Sequence, residues 1–71
     1  MIINYRSEDM LAVDSEILNL REGPGTEYEV IEVLERYAVI KVIAVDGEWL
    51  QVKVIESGNY GFVNVKYVYK I

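Results

Sequence analysis

Apolar and polar residues alternate along Ile17-Leu18-Asn19-Leu20-Arg21, which places Leu18 and Leu20 on one face. A period of two predicts a strand, because successive side chains leave a pleated backbone on opposite sides. Gly23-Pro24-Gly25 ends it. Proline has no N–H for a ladder and glycine admits positive φ, so a turn or loop begins here. Thr26 to Glu32 reads as an acidic loop with Tyr28, Val30 and Ile31 as candidate anchors, followed by a short strand at Val33-Leu34. Glu35-Arg36-Tyr37 is a turn before a long strand, Ala38 to Val45, apolar on both faces apart from Lys41. One of those faces must therefore meet something other than open water. Asp46-Gly47, set between two apolar runs, predicts a hairpin with a type I′ turn, which needs φ > 0 at both central residues. The return strand, Trp49 to Ile55, carries Leu50, Val52 and Val54 on one face and Trp49, Gln51 and Lys53 on the other. Glu56 to Asn59 is the next turn, Tyr60 to Val63 the next strand and Tyr67 to Tyr69 the last. Between these two, Asn64-Val65-Lys66 is too short for an α-helix and suits one 3₁₀ turn.

About five or six short strands, with no helix and no repeat, predict an all-β fold: a small barrel of strongly bent antiparallel strands. Leu18, Leu20, Ile40, Val42, Val52 and Val63 are its expected core. Residues 1–11 are weakly patterned and are read as an N-terminal extension or an extra edge strand, ahead of a domain spanning residues 12–71. Seventy-one residues hold one domain. A chain this short buries only roughly 60% of its unfolded-state surface, and without cysteine or histidine it has no disulfide or Cys/His metal site to add stability. Composition answers this: 52% of the residues are hydrophobic, many of them Val, Ile and Tyr, which suit a dense β core.

Three segments carry a family resemblance. Leu18-Asn19-Leu20-Arg21-Glu22-Gly23-Pro24-Gly25-Thr26-Glu27-Tyr28 resembles the L-N-[VL]-R-x-G-P-G-T-x-Y signature of bacterial SH3 (SH3b) domains. Gly47-Glu48-Trp49-Leu50-Gln51-Val52 is similar to the family's G-x-W-x-x-V hairpin, and Gly61 to Val68 to its closing G-[WYF]-V-x-x-x-Y-[VL]. The resemblance covers roughly Ala12 to Val68 and implies an SH3-like barrel that binds peptides or cell-wall peptidoglycan. The chain departs from the pattern at Tyr37, where the family usually has glycine, and has Phe62 where bacterial members often carry tryptophan. The closing segment is also similar to the G-Y-I-P-S-N-Y-V stretch of eukaryotic SH3 domains, whose aromatic and proline positions line a groove for proline-rich ligands. Those positions are Phe62, Asn64 and Tyr67 here, with Trp49 matching the groove's hairpin tryptophan. Asn64 replaces the groove proline and Leu18-Asn19-Leu20-Arg21 replaces the eukaryotic A-L-Y-D-Y tyrosines, so an aromatic patch is expected to persist but PxxP recognition is not expected.

Trp49, Phe62 and Tyr67 are candidates for a ligand platform, since aromatic rings offer flat apolar faces with a polar edge. Trp49 runs out of phase with the aliphatic face of its strand and is expected at the surface, whereas Phe62 is equally a candidate for the core. Tyr28 and Asn64 complete the candidate face, with Glu27 and Glu29 of the acidic loop as partners for a cationic group, or else as solvated loop residues. Catalysis is not expected. No Ser-His or Cys-His pair can be assembled without histidine, and a barrel this small has no deep cleft to hold paired carboxylates. Gly23 and Gly25 lack the following helix and lysine of a phosphate loop. No cofactor is expected.

Seven basic and twelve acidic residues give a formal net charge of −5. That argues against nucleic acid, whose phosphates need a basic face, and against anionic lipid or wall polymers. It suits a neutral or cationic partner, or serves solubility alone. The expected partner is a cell-wall peptide or a protein segment, with no nucleic acid and no membrane, and the module is a monomer or part of a larger chain. No apolar run approaches the ~20 residues of a membrane span, and the N-terminal residues lack the pattern of a signal peptide. The expected location is the cell wall or the extracellular space if the module belongs to a longer secreted protein, and otherwise the cytoplasm.

Overall fold

The computed structural model describes residues 4–71. Of the segment read as an extension, residues 1–3 lie outside the described residues. The chain forms seven strands: β1 (Met10–Val13), β2 (Ile17–Arg21), β3 (Val30–Glu35), β4 (Val39–Asp46), β5 (Trp49–Val54), β6 (Tyr60–Asn64) and β7 (Val68–Lys70), with a 3₁₀ turn at Val65–Tyr67. They pair antiparallel in one sheet of order β3-β2-β6-β5-β4-β1-β7. Laid flat, seven strands at ~4.8 Å spacing would span about 29 Å in a single layer one sheet thick. The molecule instead measures 28 × 23 × 20 Å, and one core cluster draws residues from every strand. The sheet is therefore bent over on itself, barrel-like but not closed, with β3 and β7 as its edges.

The inward faces match the alternation. Leu18, Leu20, Ile40, Val42, Val52 and Val63 are all buried, as are Leu50 and Val54. Four more core residues come from segments whose period was too short to read: Leu11 and Val13 of β1, Leu34 of β3 and Val68 of β7. β1 is the strand beyond the five or six expected. It is not an edge, because it pairs with β4 on one side and β7 on the other. The segment before it is tied down as well: the Glu8 N–H donates to the Val42 carbonyl at 2.7 Å, and Tyr5 packs against the core.

Three local expectations change. The stretch read as loop to Glu32 enters β3 at Val30, but β3 pairs only with β2, so Val30 and Ile31 stay exposed and anchor nothing. The β4–β5 hairpin turns through Gly47-Glu48, with Asp46 already paired to Trp49. Only Gly47 has positive φ, at +62°, so glycine sits at the first central position as in a type II′ turn, not at the second as in type I′. The same hairpin carries a bulge between Val42 and Ala44, which shifts the register by one residue. Past that bulge β4 runs into solvent and Val45 is 50% exposed, so the second apolar face of this strand is not covered at its far end. The 3₁₀ turn starts one residue later than expected and takes in Tyr67, with Asn64 as its N-cap.

Candidate functional site

Arg21, the last residue of β2, organises the loop that follows it. Its Nη1 donates to the carbonyls of Thr26 at 3.0 Å and Tyr28 at 2.9 Å, while the Glu22 N–H donates to the Glu29 carbonyl at 2.9 Å. The loop is thereby folded back on the strand end. Side chains lie over both of its glycines, the Tyr28 ring over Gly23 and the mobile end of Glu27 over Gly25. A Cβ on Gly23 would stand 2.6 Å from ring carbons of Tyr28, and one on Gly25 would run into the Glu27 carboxylate. The Leu-Asn-Leu-Arg-x-Gly-Pro-Gly-Thr-x-Tyr run is thus a self-supporting unit: arginine clamps carbonyls and tyrosine covers glycine.

On the outward side of the sheet, β2, β5 and β6 present Asn19 and Arg21, Trp49, and Asn64 respectively. Trp49 pairs with Asn64, Gln51 with Phe62 and Lys53 with Tyr60 across β5–β6, and Arg21 meets Phe62 across β2–β6. These outward residues and the 3₁₀ turn surround an open cavity of about 550 Å³. Its walls are Ile17, Asn19 and Arg21 from β2, Trp49 from β5, and Lys66 and Tyr67 from the 3₁₀ turn, with Asn64 between them. Asn64 Oδ1 accepts from the Lys66 N–H at 3.0 Å. This cap sets the turn that carries Lys66 and Tyr67 over the cavity. Trp49 is half-buried and Tyr67 is 45% exposed, so both remain partly accessible to solvent.

Of the candidate residues, Trp49, Asn64 and Tyr67 therefore line one cavity. Phe62 points outward, not into the core, and sits beside Arg21 without lining the cavity. Tyr28 lies against Gly23, and Glu27 lies over Gly25. Glu29 is exposed, with its carbonyl engaged by Glu22. None of these three lines the cavity. Glu32, another acid of the same run, accepts from Ser57 Oγ at 2.8 Å and Asn59 Nδ2 at 2.9 Å, tying β3 to the β5–β6 turn. Sequence reasoning did not single out Ile17, Asn19, Arg21 or Lys66. The alternation of β2 already put the first three opposite Leu18 and Leu20. That their face meets Trp49 follows only from the pairing of β2 with β6. Among the described residues, no cluster of three acids is arranged to hold a metal ion.

The sequence matches none of the curated proteins compared with it. Residues 17–69 match the bacterial SH3 domain family. That span begins with β2 and ends in β7, and so takes in the arginine-clamped glycine loop, the tryptophan hairpin and the asparagine-capped closing turn. On this match, over well more than half of its length, the chain belongs to the bacterial SH3 domain family.

Proposed function

We propose that this domain is a non-enzymatic binding module that takes a short extended peptide in the cavity walled by Trp49 and Tyr67, and that the peptide is part of the bacterial cell wall. Membership of the bacterial SH3 family supports the binding role, since its domains are generally non-catalytic modules. One observation carries the choice of face. The half-buried Trp49 and the exposed Tyr67, with Asn64 between them, bound the 550 Å³ cavity, and interface energy concentrates in such Trp and Tyr anchors. Phe62 extends the same outward face, while Tyr28, Glu27 and Glu29 flank it from the glycine loop. In this reading their part is to order that loop beside the ligand.

The test is chemical-shift mapping with soluble peptidoglycan fragments and with a peptide library, alongside a thermal melt. Trp49→Ala is expected to weaken binding at least ~30-fold, by the tenfold-per-1.4 kcal/mol rule, with little change in the melt. Shifts confined to another face, or unchanged affinity in the mutant, would overturn the assignment.

A second reading has its own observation. β3 is an open edge strand with Val30, Ile31 and Val33 exposed, Val33 to 53%, which suits strand addition by a protein segment, as in an adaptor domain without a wall ligand. Shifts along β3 with a partner protein, and none with wall fragments, would favour it.

A further inference from the structure

The cavity differs in charge from the molecule around it. The chain carries twelve acids and seven bases, yet among the described residues no acid lines the cavity and two bases, Arg21 and Lys66, do. Most other bases are already matched. Arg36 lies 3.2 Å from Asp14, Lys41 3.7 Å from Glu8 and Lys70 3.3 Å from Asp9. Lys53 sits over the Tyr60 ring at 5.7 Å from its centroid. Only Arg6 stands aside from this scheme, and it does not line the cavity. Arg21 donates through Nη1 to two carbonyls, which holds the guanidinium at the cavity wall without neutralising it. Lys66 makes no ion pair among the described residues and is carried on the turn that Asn64 caps.

From this we infer that the cavity selects a ligand bearing a carboxylate, which pairs with Lys66 and faces Arg21 while its apolar part rests on Trp49 and Tyr67. The inference rests on the proposed peptide-binding role and adds the chemistry that the site selects. It reverses the expectation drawn from the net charge of −5, which favoured a neutral or cationic partner. Range decides between the two. The acids next to lining residues along the chain, Glu16, Glu22, Glu27 and Glu48, are exposed and do not line the cavity themselves, so salt screens them, whereas a carboxylate in the cavity would meet Lys66 at contact distance, where a charge-assisted hydrogen bond forms. The same carboxylate could come from a peptide C-terminus or from an acidic side chain.

The experiment titrates the intact domain by NMR with four probes. An acetylated alanine tripeptide with a free C-terminus is compared with its amide. An acetyl-alanyl-glutamyl-alanine amide is compared with its glutamine counterpart. The expected result is about tenfold tighter binding of the acid in at least one pair, equal to ~1.4 kcal/mol, with shifts at Trp49, Lys66 and Tyr67. The pair that discriminates identifies the source of the carboxylate. Lys66→Gln is expected to abolish the preference and Lys66→Arg to keep it. Lys41→Gln, an equal loss of charge away from the cavity, is expected to leave it unchanged. Lys66 is exposed, so its loss does not threaten the fold. Equal affinity of acid and neutral twins at the cavity would overturn the carboxylate inference and leave the peptide-binding role standing. Tighter binding of a neutral twin than of its acid would also overturn it. Shifts on another face would overturn both, and the absence of shifts with all four probes at millimolar concentration would overturn the inference.

Discussion

Gly61 marks a close approach of β6 to β2 that leaves no room for a side chain. Its backbone is not in the left-handed region, so conformational freedom is not what requires glycine here. A Cβ would stand 2.6 Å from Leu20 Cγ and 2.8 Å from the Arg21 carbonyl oxygen, where β6 crosses onto β2. Gly61→Ala is therefore expected to cost roughly 1–3 kcal/mol by overpacking, read as a lower denaturation midpoint. Tyr37 is the opposite case. It stands at φ +74° and is 68% exposed, so it bears the cost of a left-handed backbone, about 1–2 kcal/mol for a non-glycine residue, and buries little in return. Tyr37→Gly is expected to raise stability by ~0.5–1 kcal/mol, the relieved strain exceeding the added freedom of the unfolded chain. A fall in midpoint would show that the ring packs usefully. Neither effect was visible in the sequence. Gly61 was legible as part of a motif and Tyr37 as a departure from one, but steric contact and φ are properties of the folded chain.

Among the elements, β1 is preceded by a turn tied both to itself and to β7. The Arg6 N–H donates to Asp9 Oδ2 at 2.9 Å, and Lys70 of β7 lies 3.3 Å from the same oxygen. The backbone hydrogen bond from Arg6, helped by Lys70, holds the Asp9 carboxyl below its ordinary value of 3.8. A carboxyl whose pKa is lowered by folding stabilises the fold above its unfolded-state pKa. That contribution is lost as pH falls through the folded-state value. Stability is therefore expected to decline on acidification below about pH 4, and Asp9→Asn to flatten that part of the profile. An unaltered profile in the mutant would remove Asp9 as the cause. β1 and β3 were the elements least legible in advance. At four residues, Met10–Val13 is too short for a clear period, and the acidic residues around Val30 and Ile31 read as loop.

At the scale of the whole molecule, one core cluster joins all seven strands, so no part has a hydrophobic core of its own. Unfolding is expected in a single transition, with Trp49 fluorescence and far-UV circular dichroism coinciding. Val52→Ala, at a fully buried position, should shift both signals together with a loss of ~1–3 kcal/mol. Separated transitions would mean that an edge strand opens independently. What the sequence determined by itself was local: the strands with a clean period, the faces of Leu18, Leu20, Val52 and Val63, positive φ at Gly47, and membership of a binding family through its glycine loop, hairpin and closing segment. Each follows from nearest-neighbour sterics or from the alternation of side chains along one strand. Tertiary structure alone decided the β4 bulge and the place of the hairpin turn, the burial of β1 between β4 and β7, and the composition of the cavity. The outward face of β2 reaches Trp49 and Tyr67 only because β6 pairs with β2 on one side and β5 on the other. Proximity between strands far apart in the chain is set by how the whole sheet buries its apolar face, and no local pattern encodes it.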